Sequence, residues 1–172
     1  MAWNLVVVTA AVAAVGCTQT VGGSAQRAHP AVPDPDRSYG YVDDRCGLLQ
    51  DDTIKELLSG DSVVRPYSGA VCQYVLSGRS GFVDVVYSWY DTGSLERERA
   101  LATARGLRIT DTDVQRHPAF LGQRPDNAAA CSATAAAGPG VLAWWVQYRP
   151  PNGQDPCAAA EKLLSATLSA DM

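Results

Sequence analysis

The first periodic segment of the chain predicts a short helix. Ile54, Leu57 and Leu58 share one helical face, and Gly60 follows at a position where a helix can end. An earlier helix start is predicted at Asp44, because an aspartate side chain can cap the free amide groups of a first turn. We therefore expect two helix starts, near residues 44 and 50, before the first strand.

Two β-rich runs follow, and the residues between them predict a hairpin. The runs cover residues 70–76 and 82–90, and Ser-Gly-Arg-Ser-Gly separates them. Apolar side chains alternate along the second run, which assigns one face of that strand to the core. The alternating residues are Val83, Val85, Tyr87 and Trp89.

A charged segment after this hairpin predicts a second helix over residues 95–105. Ser94 is a suitable cap, two glutamates lie in the first turn at the positive end of the helix dipole, and Gly106 follows the end. The next segment, residues 107–126, contains two prolines. We expect it to be irregular, with one short strand at 107–110.

A second hairpin and a final helix complete the pattern. The predicted strands 127–136 and 141–148 flank the turn Ala-Gly-Pro-Gly, and the final helix begins at Pro156 behind the cap Asp155. Apolar residues recur at helical spacing up to Leu168. This order of elements predicts an α+β fold, an antiparallel sheet with packed helices forming an α/β sandwich.

Four of the five cysteines predict a disulfide framework. An even number of cysteines in a small exported domain is typical of disulfides, and no CxxC spacing suggests zinc or a redox pair. Each half of the domain offers one cysteine at a predicted helix start and one in a hairpin strand. This arrangement favours Cys46–Cys72 and Cys131–Cys157 among the three possible pairings.

The chain opens with an apolar run without charges, residues 5–15. Such a run spans about 16 Å as a helix, which is too short to cross a membrane and suits a signal peptide. It leads into Ala-Val-Gly before Cys17, which resembles the bacterial lipobox, although Ala14 stands where leucine is usual. We expect residues 1–16 to be a signal peptide and Cys17 to be acylated. The alternative is an ordinary signal peptide in which Cys17 has no role.

The residues after Cys17 predict a tether and then one domain. Small, polar and proline residues dominate up to about residue 38, and such a stretch cannot bury a core. We expect residues 17–38 to form a lipidated, flexible tether and residues 39–172 to form a single globular domain. The expected location is the extracytoplasmic face of the cell membrane, reached through the lipid anchor.

Composition and charge narrow the choice of partners. Hydrophobic residues make up 47% of the chain, which is enough for a core. The net charge is −4, and no basic cluster offers an electrostatic footprint for nucleic acid. We therefore expect no nucleic-acid partner, and no cofactor motif is present.

Candidate chemistry is sparse. A catalytic site would pair His117, in an expected loop, with Ser132 or Ser80 and an acid such as Asp113, but neither serine lies in a nucleophile elbow. We interpret His117 as a surface or structural residue. The paired aspartates of the chain match no metal-binding spacing, so no metal site is predicted.

Two adjacent tryptophans are the best candidates for a binding surface. Trp144 and Trp145 lie on one predicted strand and must point to opposite faces of the sheet. One fills the core. The other lies under a helix or lines an apolar pocket or contact patch.

An ordered set of motifs resembles a known group of proteins. The set comprises Asp-x-Cys-Gly-Leu-Leu at residues 44–49, Phe-Leu-Gly-Gln-Arg-Pro at 120–125 and Asp-Pro-Cys-Ala-Ala-Ala at 155–160, with the start of the tether. These residues resemble uncharacterised actinobacterial cell-envelope lipoproteins of the mycobacterial LprB and LprC type. The resemblance implies an envelope location and a sandwich loosely similar to PsbP and Mog1. We expect a non-catalytic module that binds a lipid, glycan or protein, with a cell-wall or lipid hydrolase as the alternative.

Overall fold

The structure, a computed structural model, describes residues 32–170. Within this range the chain forms three α-helices and seven β-strands. In chain order the elements are α1 (Asp51–Leu57), β1 (Ser62–Tyr67), β2 (Val71–Gly78), β3 (Gly81–Tyr90), α2 (Leu95–Ala104), β4 (Arg108–Val114), β5 (His117–Arg124), β6 (Asn127–Ala137), β7 (Gly140–Arg149) and α3 (Pro156–Ser169).

The seven strands form one antiparallel sheet with the order β1-β2-β3-β7-β6-β5-β4. The hairpins β2–β3, β4–β5 and β6–β7 lie side by side, because β7 pairs with β3 and β6 with β5. The predicted α+β class, the antiparallel sheet with packed helices and the two predicted hairpins are confirmed.

One face of the sheet, here called the core face, packs against α1 and α3. Tyr87, Trp144 and Val146 are fully buried on this face. The indole N–H of Trp144 donates a hydrogen bond to the hydroxyl of Thr167 on α3, at 2.9 Å. The alternation predicted for β3 therefore assigns the core face of that strand correctly, and on β7 it is Trp144 that faces the core.

The opposite face, here called the groove face, carries α2. This helix lies over β4, β5 and β6, and Leu95 packs there with Phe120, Ala136 and Val141. The parts of β3 and β7 beyond α2 have half-buried side chains on this face. One side of the sheet is therefore closed by helices, and the other is only partly covered.

The predicted helix caps are confirmed for α2 and α3. The hydroxyl of Ser94 accepts a hydrogen bond from the amide of Arg97 at 3.3 Å. The carboxylate of Asp155 accepts a hydrogen bond from the amide of Cys157 at 2.8 Å, and Pro156 is the first residue of α3.

Both predicted disulfides are present. Cys46–Cys72 joins the segment before α1 to β2, and Cys131–Cys157 joins β6 to the first turn of α3. Each bond therefore ties a non-sheet segment to a strand of the sheet.

Residues 32–38, assigned above to the tether, lie against the domain. Asp34 accepts a hydrogen bond from the hydroxyl of Tyr39, and Arg37 donates to the carbonyl of Ala170 after α3. A Cβ at Gly138 would overlap the carbonyl oxygen of Arg37. This segment therefore passes directly over the β6–β7 turn.

The predicted helix start at Asp44 is wrong. Asp43 and Asp44 both have positive φ angles, which no helix N-terminus accommodates. Asp44 instead binds Arg65 of β1, with 2.5 Å between Oδ1 and Nη2. Cys46 accordingly lies in a turn, although its disulfide partner is the predicted one.

The prediction of an irregular segment at 107–126 is also wrong, because this segment forms the β4–β5 hairpin. The turn consists of Gln115 and Arg116, with φ angles of 51° and 65°. Two-residue turns of this kind usually carry asparagine or glycine, so the sequence has no local turn signal here. Pro118 is tolerated because pairing of β5 with β6 begins only at Ala119.

Strand β1 was not predicted. It is a short edge strand that contains Pro66, and its pairing with β2 is irregular between Val64 and Tyr67. Proline cannot donate to a sheet ladder and is confined to strand ends and edges. The local sequence of this segment, with its proline, therefore disfavours a strand.

Candidate functional site

The groove face contains two adjoining hollows beside α2. Their volumes are about 240 Å³ and about 340 Å³, and both are lined by Arg105, Leu107 and Trp145. Ligand sites in proteins are usually concave and span about 300–1,000 Å³. The larger hollow lies within this range, and the two together are here called the groove.

Small residues on β5 and β6 make the floor of the groove. Gly122 and Ala130 line it, and both are buried. A Cβ on Gly122 would lie 2.9 Å from the hydroxyl of Ser132 and 3.0 Å from a methyl group of Leu107. A larger residue at this position would therefore push side chains into the groove.

Trp145 forms the wall of the groove opposite α2. It is half-buried, whereas Trp144 next to it is fully buried on the core face. The side chain of Trp145 borders both hollows. Of the two candidate tryptophans, the structure brings only Trp145 to the groove.

The charge of the groove differs between its ends. Arg105 and Arg124 border the hollow over Gly122, whose lining contains no carboxylate. Nε of Arg124 lies 3.6 Å from Oδ1 of Asp126, and both of these side chains are exposed. Glu98 lines the other hollow, near the buried ring of Phe120. Both arginines therefore border one hollow, whereas the other combines apolar side chains with hydroxyls, Glu98 and Arg105 alone.

Arg105 reaches the groove from the C-terminal end of α2. Glu98 and Ala102 lie four residues apart on one side of α2, and Arg105, the C-cap residue of this helix, borders the same hollow. Among residues 32–170, no carboxylate forms an ion pair with Arg105. Its guanidinium group is exposed and available to a ligand.

A second concavity, of about 330 Å³, lies near the β2–β3 turn. Its lining comes largely from loops and turns and includes Asp61, Arg79 and Ser80. Most residues that line the groove, in contrast, lie on strands and one helix, which hold side chains more firmly than loops do. We therefore regard the groove as the better candidate site.

The aspartates near α1 serve a structural ion-pair cluster. Arg65 is largely buried and contacts Asp44 and Asp51, at 2.5 Å and 3.4 Å. Burial raises the pKa of the nearby Tyr74 hydroxyl, and the negative charge of Asp51 raises it further. Within residues 32–170, no three His, Cys, Asp or Glu side chains are close enough to hold a metal ion.

The sheet separates the residues of the alternative catalytic site. His117 is not in a loop: it begins β5 and is buried on the core face, 2.9 Å from the carbonyl oxygen of Ala136 and 3.5 Å from Asp34. Ser132 lines the groove, on the other face. Ser80 lies in the β2–β3 turn, at the opposite end of the sheet from His117. Asp113 pairs with Pro118, one position from His117, and so points to the groove face.

The lipidation candidate Cys17 lies outside the residues that the structure describes. Among the described helices, none combines the length and the apolar character needed to span a bilayer.

A comparison with models of known protein families identifies the family of this chain. The family model described as "Protein of unknown function (DUF3558)" matches residues 12–170. The chain belongs to this family. No curated protein and no solved structure matches it. The function of this DUF3558 member must therefore be inferred from its own residues.

The sequence did not predict most of the residues that line the groove of this DUF3558 member. Arg105, Leu107 and Arg124 come from α2, the residue before β4 and the end of β5. One signal was available: Gly122 directly follows the apolar residues 119–121, and a glycine inside a strand often marks a close approach. The assignment of this segment as irregular concealed that signal.

Proposed function

We propose that this protein is a lipid-anchored protein of the cell envelope whose domain binds a small ligand in the groove, without catalysing a reaction. The observation that carries the proposal is the partly covered groove face, where Trp145 stands beside a floor of small residues. A flat aromatic wall and a hollow on a rigid sheet are features of ligand sites. The hydrolase alternative gains no support from the groove, because His117 lies on the other face of the sheet.

The proposed location rests on the N-terminal sequence and on the cysteines. An apolar run ends at a lipobox-like motif with Cys17, and the four cysteines of the domain form two disulfides. Disulfides persist in oxidising compartments outside the cytoplasm. Kinship with LprB- and LprC-like lipoproteins, and a fold of the PsbP and Mog1 type, belong to the same proposal.

Fractionation of cells tests the anchor. Two or more acyl chains, at about 0.8 kcal/mol per buried CH₂, hold a protein firmly in a membrane. The wild-type protein should therefore be found in the membrane fraction, and Cys17→Ala should leave it or remain unprocessed. Identical distribution and identical processing of the two proteins would contradict the anchor.

Native mass spectrometry tests the groove. Wild-type protein purified from its own membranes should carry an additional small-molecule mass. Gly122→Val, which fills the floor, and Trp145→Ala, which removes the wall, should both lose it. Tyr67→Ala is the matched control, because Tyr67 is an exposed aromatic residue on β1, away from the groove. A wild-type protein without bound ligand, or a Gly122→Val variant that is folded and equally loaded, would contradict the proposal.

A further inference from the structure

The two ends of the groove differ in a way that selects a class of ligand. Arg105, the C-cap residue of α2, and Arg124, the last residue of β5, border the same hollow, and Gly122 also lines it. The whole chain carries a net charge of −4. This hollow has the opposite sign, because two arginines and no carboxylate line it. Guanidinium groups bind carboxylates and phosphates through charge-assisted hydrogen bonds.

The other end of the groove is suited to an apolar group. Trp145 continues from the cationic hollow into the second hollow, where Ala143 and the buried ring of Phe120 extend the surface. The polar groups there are the hydroxyls of four residues, together with Glu98 and with Arg105, which borders both hollows. An elongated ligand would therefore have its anionic group between the arginines and its apolar body along Trp145.

Resting on the proposed function, we propose that the ligand is an anionic amphiphile: a single acidic group, carboxylate or phosphate, joined to an apolar chain. Charge complementarity at Arg105 and Arg124 places the acidic group, and Trp145 with Phe120 places the chain. Glu98 disfavours the reverse orientation, because it would repel an acidic group in its hollow, which Arg105 borders but Arg124 does not. Neither half of the ligand alone satisfies both ends of the groove.

Three probes separate the contributions of the head group and the chain. The full chain carrying Cys17→Ala, and therefore without acyl groups of its own, is titrated below the critical micelle concentration with dodecyl phosphate. Dodecyl maltoside supplies the same chain with a neutral head, and inorganic phosphate supplies the acidic group alone. Dodecyl phosphate should bind at one saturable site, at least tenfold more tightly than either of the other two probes.

Matched arginine variants assign the head group. Arg105→Gln and Arg124→Gln should each weaken dodecyl phosphate about tenfold, the loss expected for one charge-assisted hydrogen bond. Arg97→Gln should not, because Arg97 is an exposed arginine of α2 that does not line the groove. The same variants should leave the affinity for dodecyl maltoside unchanged.

The outcomes distinguish this proposal from the one on which it rests. The anionic head group is overturned if dodecyl maltoside binds as tightly as dodecyl phosphate. It is also overturned if neither Arg105→Gln nor Arg124→Gln weakens the binding of dodecyl phosphate. In that case, a loss of dodecyl maltoside binding in Trp145→Ala would still support a binding groove. Inorganic phosphate that binds as tightly as dodecyl phosphate overturns the amphiphile. Failure of dodecyl phosphate to bind overturns the proposal outright, whereas the native ligand measured by mass spectrometry decides the binding function separately.

Discussion

At the scale of single residues, the two tryptophans of β7 have different structural roles. Trp144 is fully buried between Tyr87 and α3, and its indole N–H donates to Thr167. Trp145 borders the groove and is half-buried. A residue that fills the core and a residue available to a ligand therefore stand next to each other in the chain.

Substitution of each tryptophan should separate stability from binding. Trp144→Ala should lower the free energy of unfolding by about 3–5 kcal/mol, because it leaves a cavity in a packed core. Trp144→Phe should cost about 1–3 kcal/mol, since it leaves the buried Thr167 hydroxyl without its donor. Trp145→Ala should cost clearly less than Trp144→Ala. Urea unfolding measures all three, and equal losses for the two alanine variants would show that the groove wall is part of the core.

At the scale of elements, the two disulfides fasten different segments over loops of equal length. Each joins cysteines that are 26 residues apart. The chain-entropy model therefore assigns both the same stabilisation, about 3.5 kcal/mol. Any difference between them must come from the folded state.

Paired alanine variants test this comparison. Cys46 and Cys72 are both fully buried, whereas Cys157 is only half-buried. Cys46→Ala with Cys72→Ala should therefore destabilise the protein more than Cys131→Ala with Cys157→Ala, because cavities form at two buried sites. Urea unfolding under non-reducing conditions gives both free energies. A larger loss for the second pair would indicate that seating α3 on the sheet matters more than core burial.

At the scale of the whole molecule, buried tyrosines link folding to alkaline pH. Burial raises the pKa of Tyr39, Tyr74 and Tyr87, and the charge of Asp34 raises the pKa of Tyr39 further. The folded state thus holds these protons more tightly than the unfolded chain, whose tyrosines ionise near pH 10. Their stabilising contribution is complete below about pH 10 and is lost as the pH rises above it.

The free energy of unfolding should therefore fall steeply in alkali. Each buried tyrosine adds up to about 1.4 kcal/mol per pH unit to the slope above pH 10. Urea titrations between pH 8 and pH 11, followed by near-UV circular dichroism, measure this slope. Tyr87→Phe should reduce this slope, because the variant lacks one of the buried hydroxyl groups that titrate. A stability that does not change across this range would mean that these hydroxyls ionise without unfolding.

The amino-acid sequence by itself determined the features that depend on neighbouring residues. The caps Ser94 and Asp155 and the alternation along β3 are local signals, and they led to the correct starts of α2 and α3 and to the core face of β3. The disulfide pairing also followed from the sequence, although Cys46 lies in a turn and not at a helix start. These signals persist because they describe hydrogen bonds and burial within a few residues.

The tertiary structure decided everything that depends on contacts between distant segments. Strand β1 forms by pairing with β2, although it contains Pro66. The β4–β5 hairpin forms beside β6, although its turn consists of Gln115 and Arg116. The groove is non-local as well, since α2, β5 and β7 each supply part of it. Alternation places Trp144 and Trp145 on opposite faces, but only the position of α2 on the sheet determines which of the two borders an open hollow.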